Sequence, residues 1–147
     1  MVKKFMVING PNLNLLGTRE PSVYGDKSLS DIELYTENSL KELGFTDVET
    51  TWFQSNIEGE IVGKIQSLLN LDYDALLINP AAYSHTSVAI LDSLKMLEIP
   101  VIEVHLSNTH LRDAYRQTKL TAKSSTIIME GLRHKAYLIG ILSQLVK

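Results

Sequence analysis

Ala75-Leu76-Leu77-Ile78-Asn79 is an unbroken apolar run that ends on an amide. A strand with one wet face alternates apolar and polar residues, whereas a strand covered on both faces does not. The run therefore reads as the inside of a parallel sheet. Working outward, Phe5–Asn9 has the same character and the same ending. Val48–Gln54 brings β-branched and aromatic residues at Thr50, Thr51, Trp52 and Phe53. Pro100–His105 and Ser125–Met129 complete five candidate strands. Helical patterns separate them. Ser30-Asp31-Ile32-Glu33 reads as a capping box opening a helix that runs to Leu43 and stops at Gly44. Ile57, Ile61, Ile65 and Leu68 keep helical spacing to about Asn70. Further helices are expected from about Thr86 to Leu97 and over Leu132–Val146, with a short helical turn at Leu111–Tyr115.

Strand and helix thus alternate along the chain, as they do in open α/β folds. The expected architecture is α/β: a flavodoxin-like, doubly wound five-stranded parallel sheet in three α/β/α layers. Its strand order, by analogy with that fold, is 2-1-3-4-5. At 147 residues a single domain, 1–147, is expected, large enough to bury a core but too short for an eight-unit barrel. The net charge of −3 argues against nucleic acid as a partner. Apolar runs are strand-length, too short for a membrane span or a secretory leader. Without cysteine there is no disulfide, thiolate metal site or thiol nucleophile. The four histidines show no ligand spacing with carboxylates, so no metal is expected. A cytoplasmic location is the default expectation.

The first strand runs into Ile8-Asn-Gly-Pro-Asn-Leu-Asn-Leu-Leu-Gly-Thr-Arg-Glu-Pro-Ser-Val-Tyr-Gly25. Loops this long inside a small domain tend to be lids or binding loops, and a lid is expected at about residues 17–26. The loop carries Asn9, Asn12, Arg19 and Tyr24. A cation near a phenol favours the phenolate, so Tyr24 beside Arg19 has the makings of a base. The alternative is an ordinary surface pair.

Parallel strands deliver their C-terminal ends to one edge of the sheet, where ligands bind. Here those ends are polar: Asn9 with Asn12, Gln54-Ser55-Asn56, Asn79, and Glu103 with His105 followed by Ser107 and Asn108. Such a rim suits a small, oxygen-rich ligand, although amides at strand ends also form turns. Period-two spacing puts Glu103 and His105 on one face of a strand, where the carboxylate would fix the imidazole's tautomer. They are either an acid–base pair or a satisfied polar pair under a loop. Asn79-Pro80-Ala81-Ala82-Tyr83-Ser84-His85-Thr86-Ser87 sets an amide, hydroxyls and an imidazole near a helix start, which favours anions. His85 either binds ligand there or caps its helix. Arg112 and Arg116, four apart, are expected on one helical face beside the His105 loop. His110 and His134 read as solvated, Trp52 as core or interface, and Asp92 as an exposed helix carboxylate.

The segment Ile8–Gly25, with Asn12, Arg19 and Tyr24 in register, resembles the signature of the type II 3-dehydroquinate dehydratases. The similarity continues through Asn79–Ser87 and Glu103–Arg116 and covers nearly the whole chain. The resemblance implies a hydro-lyase that converts 3-dehydroquinate to 3-dehydroshikimate by anti elimination through an enolate, in shikimate biosynthesis or quinate catabolism. It implies Tyr24 as the tyrosinate base and Arg19 as the cation keeping it ionised. A free phenol costs roughly 4 kcal/mol to ionise at pH 7, which a close guanidinium and exclusion of water can offset. By the same resemblance Asn12 holds a water against the enolate oxygen. His105, oriented by Glu103 and near Asn79, protonates the departing hydroxyl. The substrate carboxylate sits on the backbone N–H groups of Leu106 and Ser107, while His85 and Arg112 hold ring hydroxyls. Asp92 reaches a neighbouring subunit's site, since similar enzymes assemble as trimers and then as dodecamers. No cofactor is implied, because the substrate's own ketone is the electron sink, and no lysine forms a Schiff base.

Two positions depart from that pattern. Gln117-Thr118-Lys119-Leu120 stands where relatives commonly show a His-Ser-Tyr run after Arg116, in a region expected to serve packing or subunit contacts. Ala81 replaces a common glycine and would narrow the site. The rival class is a non-enzymatic flavodoxin-like module. A phosphate-accepting receiver needs acidic residues where Asn9 and Asn79 stand. A flavin binder needs a hydroxyl- and glycine-rich loop that Gly10-Pro11-Asn12-Leu13 does not supply.

Overall fold

The computed structural model describes residues 1–18 and 20–147; Arg19 lies outside the described residues. Strands β1 (Lys3–Asn9), β2 (Val48–Gln54), β3 (Ala75–Asn79), β4 (Val101–His105) and β5 (Ile127–Glu130) form one sheet in the order β2-β1-β3-β4-β5. Every pairing is parallel. The helices are α1 (Pro21–Tyr24), α2 (Leu29–Glu42), α3 (Glu58–Ser67), α4 (Val88–Leu94) and α5 (Ala136–Leu145).

Successive side chains of a strand point to opposite faces, and that period sorts the core into two layers. Phe5, Val7, Leu77, Ile102 and Val104 pack with Ile32 and Leu40 of α2 and with Tyr137 and Ile141 of α5. Met6, Ile8, Leu76, Ile78 and Val101 pack with Ile61 and Ile65 of α3 and with Ile90 and Leu94 of α4. The fold is therefore the expected flavodoxin-like three-layer α/β/α arrangement. The central β3 and β4 are buried throughout. The edge strands β2 and β5 are partly exposed, which is why Val48–Gln54 carries so much threonine.

Several boundaries differ from the sequence reading. The capping box at α2 is Ser28 with Asp31, each side chain bonding the other's backbone N–H at 3.1 and 3.0 Å, and not Ser30 with Glu33. The helix thereby starts early enough for Leu29 to pack on the core. A 3₁₀ turn, Ala81–His85, precedes α4, and the Ser87 hydroxyl accepts from the Ile90 N–H, so α4 begins at Val88 and ends at Leu94. Strand β5 starts two residues later and ends one residue later than expected, taking in Glu130. Arg133–Lys135 forms a 3₁₀ turn, so α5 is shorter than Leu132–Val146. The expected turn over Leu111–Tyr115 divides into 3₁₀ turns at Thr109–Leu111 and Ala114–Gln117. Arg112 lies extended between them, so Arg112 and Arg116 do not share a helical face. No described helix is long and apolar enough to cross a membrane.

Candidate active site

The strand order reverses between β1 and β3, and an open α/β sheet leaves a crevice at such a point. Asn9 and Asn79 stand side by side there. The chain stays joined just beyond them, where the Gly10 N–H donates to the Asn79 carbonyl at 2.8 Å. A Cβ on Gly10 would lie 2.4 Å from the Pro80 carbonyl oxygen, so this close approach requires glycine. Above it opens a cleft lined among others by Asn12, Tyr24, Asn79, His85, His105 and Arg112. The amides, imidazoles and guanidinium that converge on it suit a small ring bearing several oxygens.

The inner wall is a chain of hydrogen bonds from the Ala81 N–H through Asn79 and Tyr137 to Asn9, whose buried Nδ2 has no partner among the described residues. Asn79 Oδ1 accepts from the Ala81 N–H at 3.1 Å, and its Nδ2 donates to the Tyr137 hydroxyl at 3.3 Å. Tyr137 in turn donates to Asn9 Oδ1. Burial pushes the Tyr137 hydroxyl far above its ordinary value, only partly opposed by the bond from Asn79, so it stays neutral. Asn79 is therefore held at both ends of its amide. Nothing in the sequence singles out Tyr137, which there is one more apolar position of a closing helix. Ala81 completes this wall with φ at +52°, a conformation that favours glycine.

Glu103 and His105 share a face of β4, as their spacing requires, but the expected tautomer-fixing bond is not formed. His105 Nε2 lies 3.7 Å from Glu103 Oε1, beyond hydrogen-bond reach. That carboxylate oxygen instead accepts from the Thr121 hydroxyl. Glu103 is fully buried and His105 nearly so, and neither Glu103 Oε2 nor His105 Nε2 has a hydrogen-bond partner among the described residues. The carboxylate is thus anchored behind the imidazole, with only His105 reaching the cleft lining. Thr121 is a second residue that sequence reasoning missed, because its role is set by a strap folding back from a distant segment.

On the opposite wall, Tyr24 ends α1, and Arg112 Nη1 donates to its hydroxyl at 2.7 Å with the guanidinium 5.1 Å from the ring centre. The same nitrogen is 3.4 Å from Ser107 Oγ. Arg112, the expected ring-hydroxyl ligand, thus also places a cation at the Tyr24 hydroxyl. The pairing of Tyr24 with Arg19 falls on the residue outside the description. Asn12 adopts a left-handed φ of 68°, and its N–H donates to Asn56 Oδ1 at 2.9 Å. Gln54 Nε2 bonds the same Asn56 oxygen and the Gly10 carbonyl. The polar end of β2 thus holds the Asn12 loop rather than lining the cleft.

His85 Nδ1 is 2.7 Å from the Thr118 carbonyl, which can only accept, so Nδ1 carries the hydrogen and a neutral His85 keeps its lone pair on Nε2. Burial lowers the imidazole below its ordinary value, opposed by the bond to Thr118 and reinforced by His105, Arg116 and Lys119. The cleft also takes in Leu106, Ser107, Thr109 and Arg116. Asp92 does not line it: that side chain is exposed on α4.

A cleft with imidazoles, a phenol and a guanidinium on its walls, at the switch point of a doubly wound α/β sheet, is where such folds bind small molecules. Residues 3–145 match the family Dehydroquinase class II. A 3-dehydroquinate dehydratase of Clostridium perfringens is 46% identical over 138 residues, covering 94% of each chain. Type II dehydroquinase structures from Butyrivibrio crossotus and Propionibacterium acnes superpose with TM-scores of 0.92 and 0.87, at 36% and 38% identity. They cover 99% of this chain and 99% and 97% of theirs. The chain belongs to the class II dehydroquinase family and is a lyase.

Proposed function

We propose that this chain dehydrates 3-dehydroquinate to 3-dehydroshikimate with Tyr24 as base and His105 as acid. The observation that carries the reading is the single cleft that Tyr24, with a guanidinium at its hydroxyl, shares with His105, Asn12 and Asn79. A phenolate of Tyr24 takes a proton from the carbon beside the substrate ketone. The electron pair moves onto the carbonyl oxygen, and Asn12 orders a donor against the resulting enolate. As the ketone re-forms, the bond to the tertiary hydroxyl breaks and His105 gives that group a proton, so that it leaves as water. Arg112, whose Nη1 donates to the Tyr24 hydroxyl, would supply counter-charge to that phenolate, and Arg19 is expected to add to it.

Leu106 and Ser107 would receive the substrate carboxylate on their backbone N–H groups, with His85 and Arg112 on the ring hydroxyls. Residues 17–26 would act as the lid of one catalytic domain spanning 1–147. Arg133 already ties that lid to the end of β5 through the Ser22 carbonyl at 3.3 Å. Asp92, exposed on α4, is available to a neighbouring subunit, consistent with trimers assembled into a cytoplasmic dodecamer. No cofactor enters this scheme, and shikimate biosynthesis and quinate catabolism would use the same chemistry.

The test is absorbance of the conjugated enone on mixing purified protein with 3-dehydroquinate, alongside Tyr24→Phe. The reading expects turnover in the parent and its loss in a variant that still binds substrate by calorimetry. A folded parent that binds 3-dehydroquinate without turning it over would reduce it to a binding protein.

A further inference from the structure

Glu130 ends β5 directly beside His105 in the sheet register, yet it does not line the cleft. Its carboxylate gathers three donors from two separate segments. Thr109 Oγ1 donates to Oε1 at 2.5 Å, and Lys119 Nζ lies 2.7 Å from the same oxygen. His110 Nδ1 is 3.2 Å from Oε2. The Lys119 and Glu130 side chains are only 8% and 16% exposed. Taking two charges this far out of water is costly, and a pair so placed is a poor way to gain stability. Its position suggests another purpose.

Thr109 and His110 are the middle of the segment that carries Leu106 and Ser107 at one end and Arg112 at the other. Thr109 is buried and touches the cleft, and its carbonyl accepts from the Arg112 N–H at 3.1 Å. Lys119 belongs to the strap whose Thr118 carbonyl orients His85 and whose Thr121 anchors Glu103. It is also one of the positions at which this chain departs from the His-Ser-Tyr pattern. Burial pushes the Glu130 carboxyl up, but hydrogen bonds from Lys119 and Thr109 outweigh it, and the group stays charged.

We propose that Glu130 is a positioning residue: by gripping Thr109, His110 and Lys119 it locks the Leu106–Arg112 segment to the His85 strap and sets the carboxylate-binding end of the cleft. The inference rests on the reading that the substrate carboxylate sits against Leu106 and Ser107. It assigns a job to Lys119 and Glu130 together: the charge pair joins two walls that would otherwise move apart.

The test compares a tetrahydroxycyclohexane carboxylic acid with its primary amide, by calorimetry on the full chain, in the parent, Glu130→Ala and Lys119→Met/Glu130→Leu. The double variant carries no unpaired charge and guards against a single variant that fails to fold. The parent should prefer the acid by at least about tenfold, and both variants should lose most of that preference. Their KM for 3-dehydroquinate should rise about tenfold with kcat within about threefold, the pattern of lost ground-state positioning. A parent without acid preference would defeat the carboxylate reading itself. A parent that prefers the acid, with both variants unchanged, would overturn the role of Glu130. A preference restored in the double variant would also overturn it, since Glu130 would then only neutralise Lys119.

Discussion

Two tyrosines bear on the same cleft and are treated in opposite ways. Tyr137 is fully buried behind the wall, bonded to Asn9 and Asn79, and burial holds it neutral. Tyr24 is half-buried at the mouth, at the end of a four-residue helix, with a guanidinium against its hydroxyl. The first arrangement fixes geometry and removes chemistry. The second leaves a phenol on the cleft with a cation against it. The inner wall, built where β1 and β3 meet, is tied together by the hydrogen bonds that link Asn79, Tyr137 and Asn9. The outer wall depends on loops, and its order comes from Glu103, Thr121, Glu130 and Lys119 behind it.

The largest effect expected on this contrast is at His105. His105→Ala should lower kcat by about 10²- to 10⁴-fold. In heavy water the variant should still exchange the substrate's α-proton, because the base is intact. Loss of exchange together with turnover would put His105 in the first step.

Next is Thr121→Val, which strips the buried Glu103 carboxylate of its hydrogen bond. A lost bond to a charged group should cost about 1.5–3 kcal/mol in denaturant unfolding. An unchanged midpoint would mean that the Thr121 hydroxyl does not anchor Glu103.

Ala81→Gly should be smaller. Releasing a left-handed alanine returns about 1–2 kcal/mol, offset by about 0.5–1 kcal/mol of added chain entropy. The variant should be as stable as the parent or slightly more so; a clear loss would contradict strain at Ala81.

The smallest effect is the titration of His85. Its imidazole signal should show a midpoint below the ordinary 6.5. A histidine lowered in the folded state takes up its proton earlier in the unfolded chain. Its contribution to stability is therefore complete above 6.5 and lost as pH falls below it. His85→Gln should flatten that part of the pH–stability curve, and a midpoint above 6.5 would refute the neutral assignment.

Much of this was legible in the chain. The apolar runs at Phe5–Asn9 and Ala75–Asn79 and their amide endings located the sheet and its functional edge. Period two on β4 put Glu103 and His105 on one face. What escaped was decided by tertiary contact. Tyr137 is indistinguishable in sequence from a core position of α5, and Thr121 and Glu130 act only because a strap folds back over β4. Arg112 was found, but its partner Tyr24 lies 88 residues away in the chain. The helical face assumed for Arg112 and Arg116 failed because short 3₁₀ turns carry no strong periodic signal.

The most direct test measures Tyr24→Phe and Tyr137→Phe side by side, for turnover of 3-dehydroquinate and for stability. Tyr24→Phe should lose at least about a thousandfold in kcat and melt like the parent, as expected for a group acting in the transition state. Tyr137→Phe should lose about 1–3 kcal/mol of stability, from partners left unsatisfied, and stay within about tenfold of parental turnover. Turnover that survives Tyr24→Phe would contradict the account, because the base would then lie elsewhere.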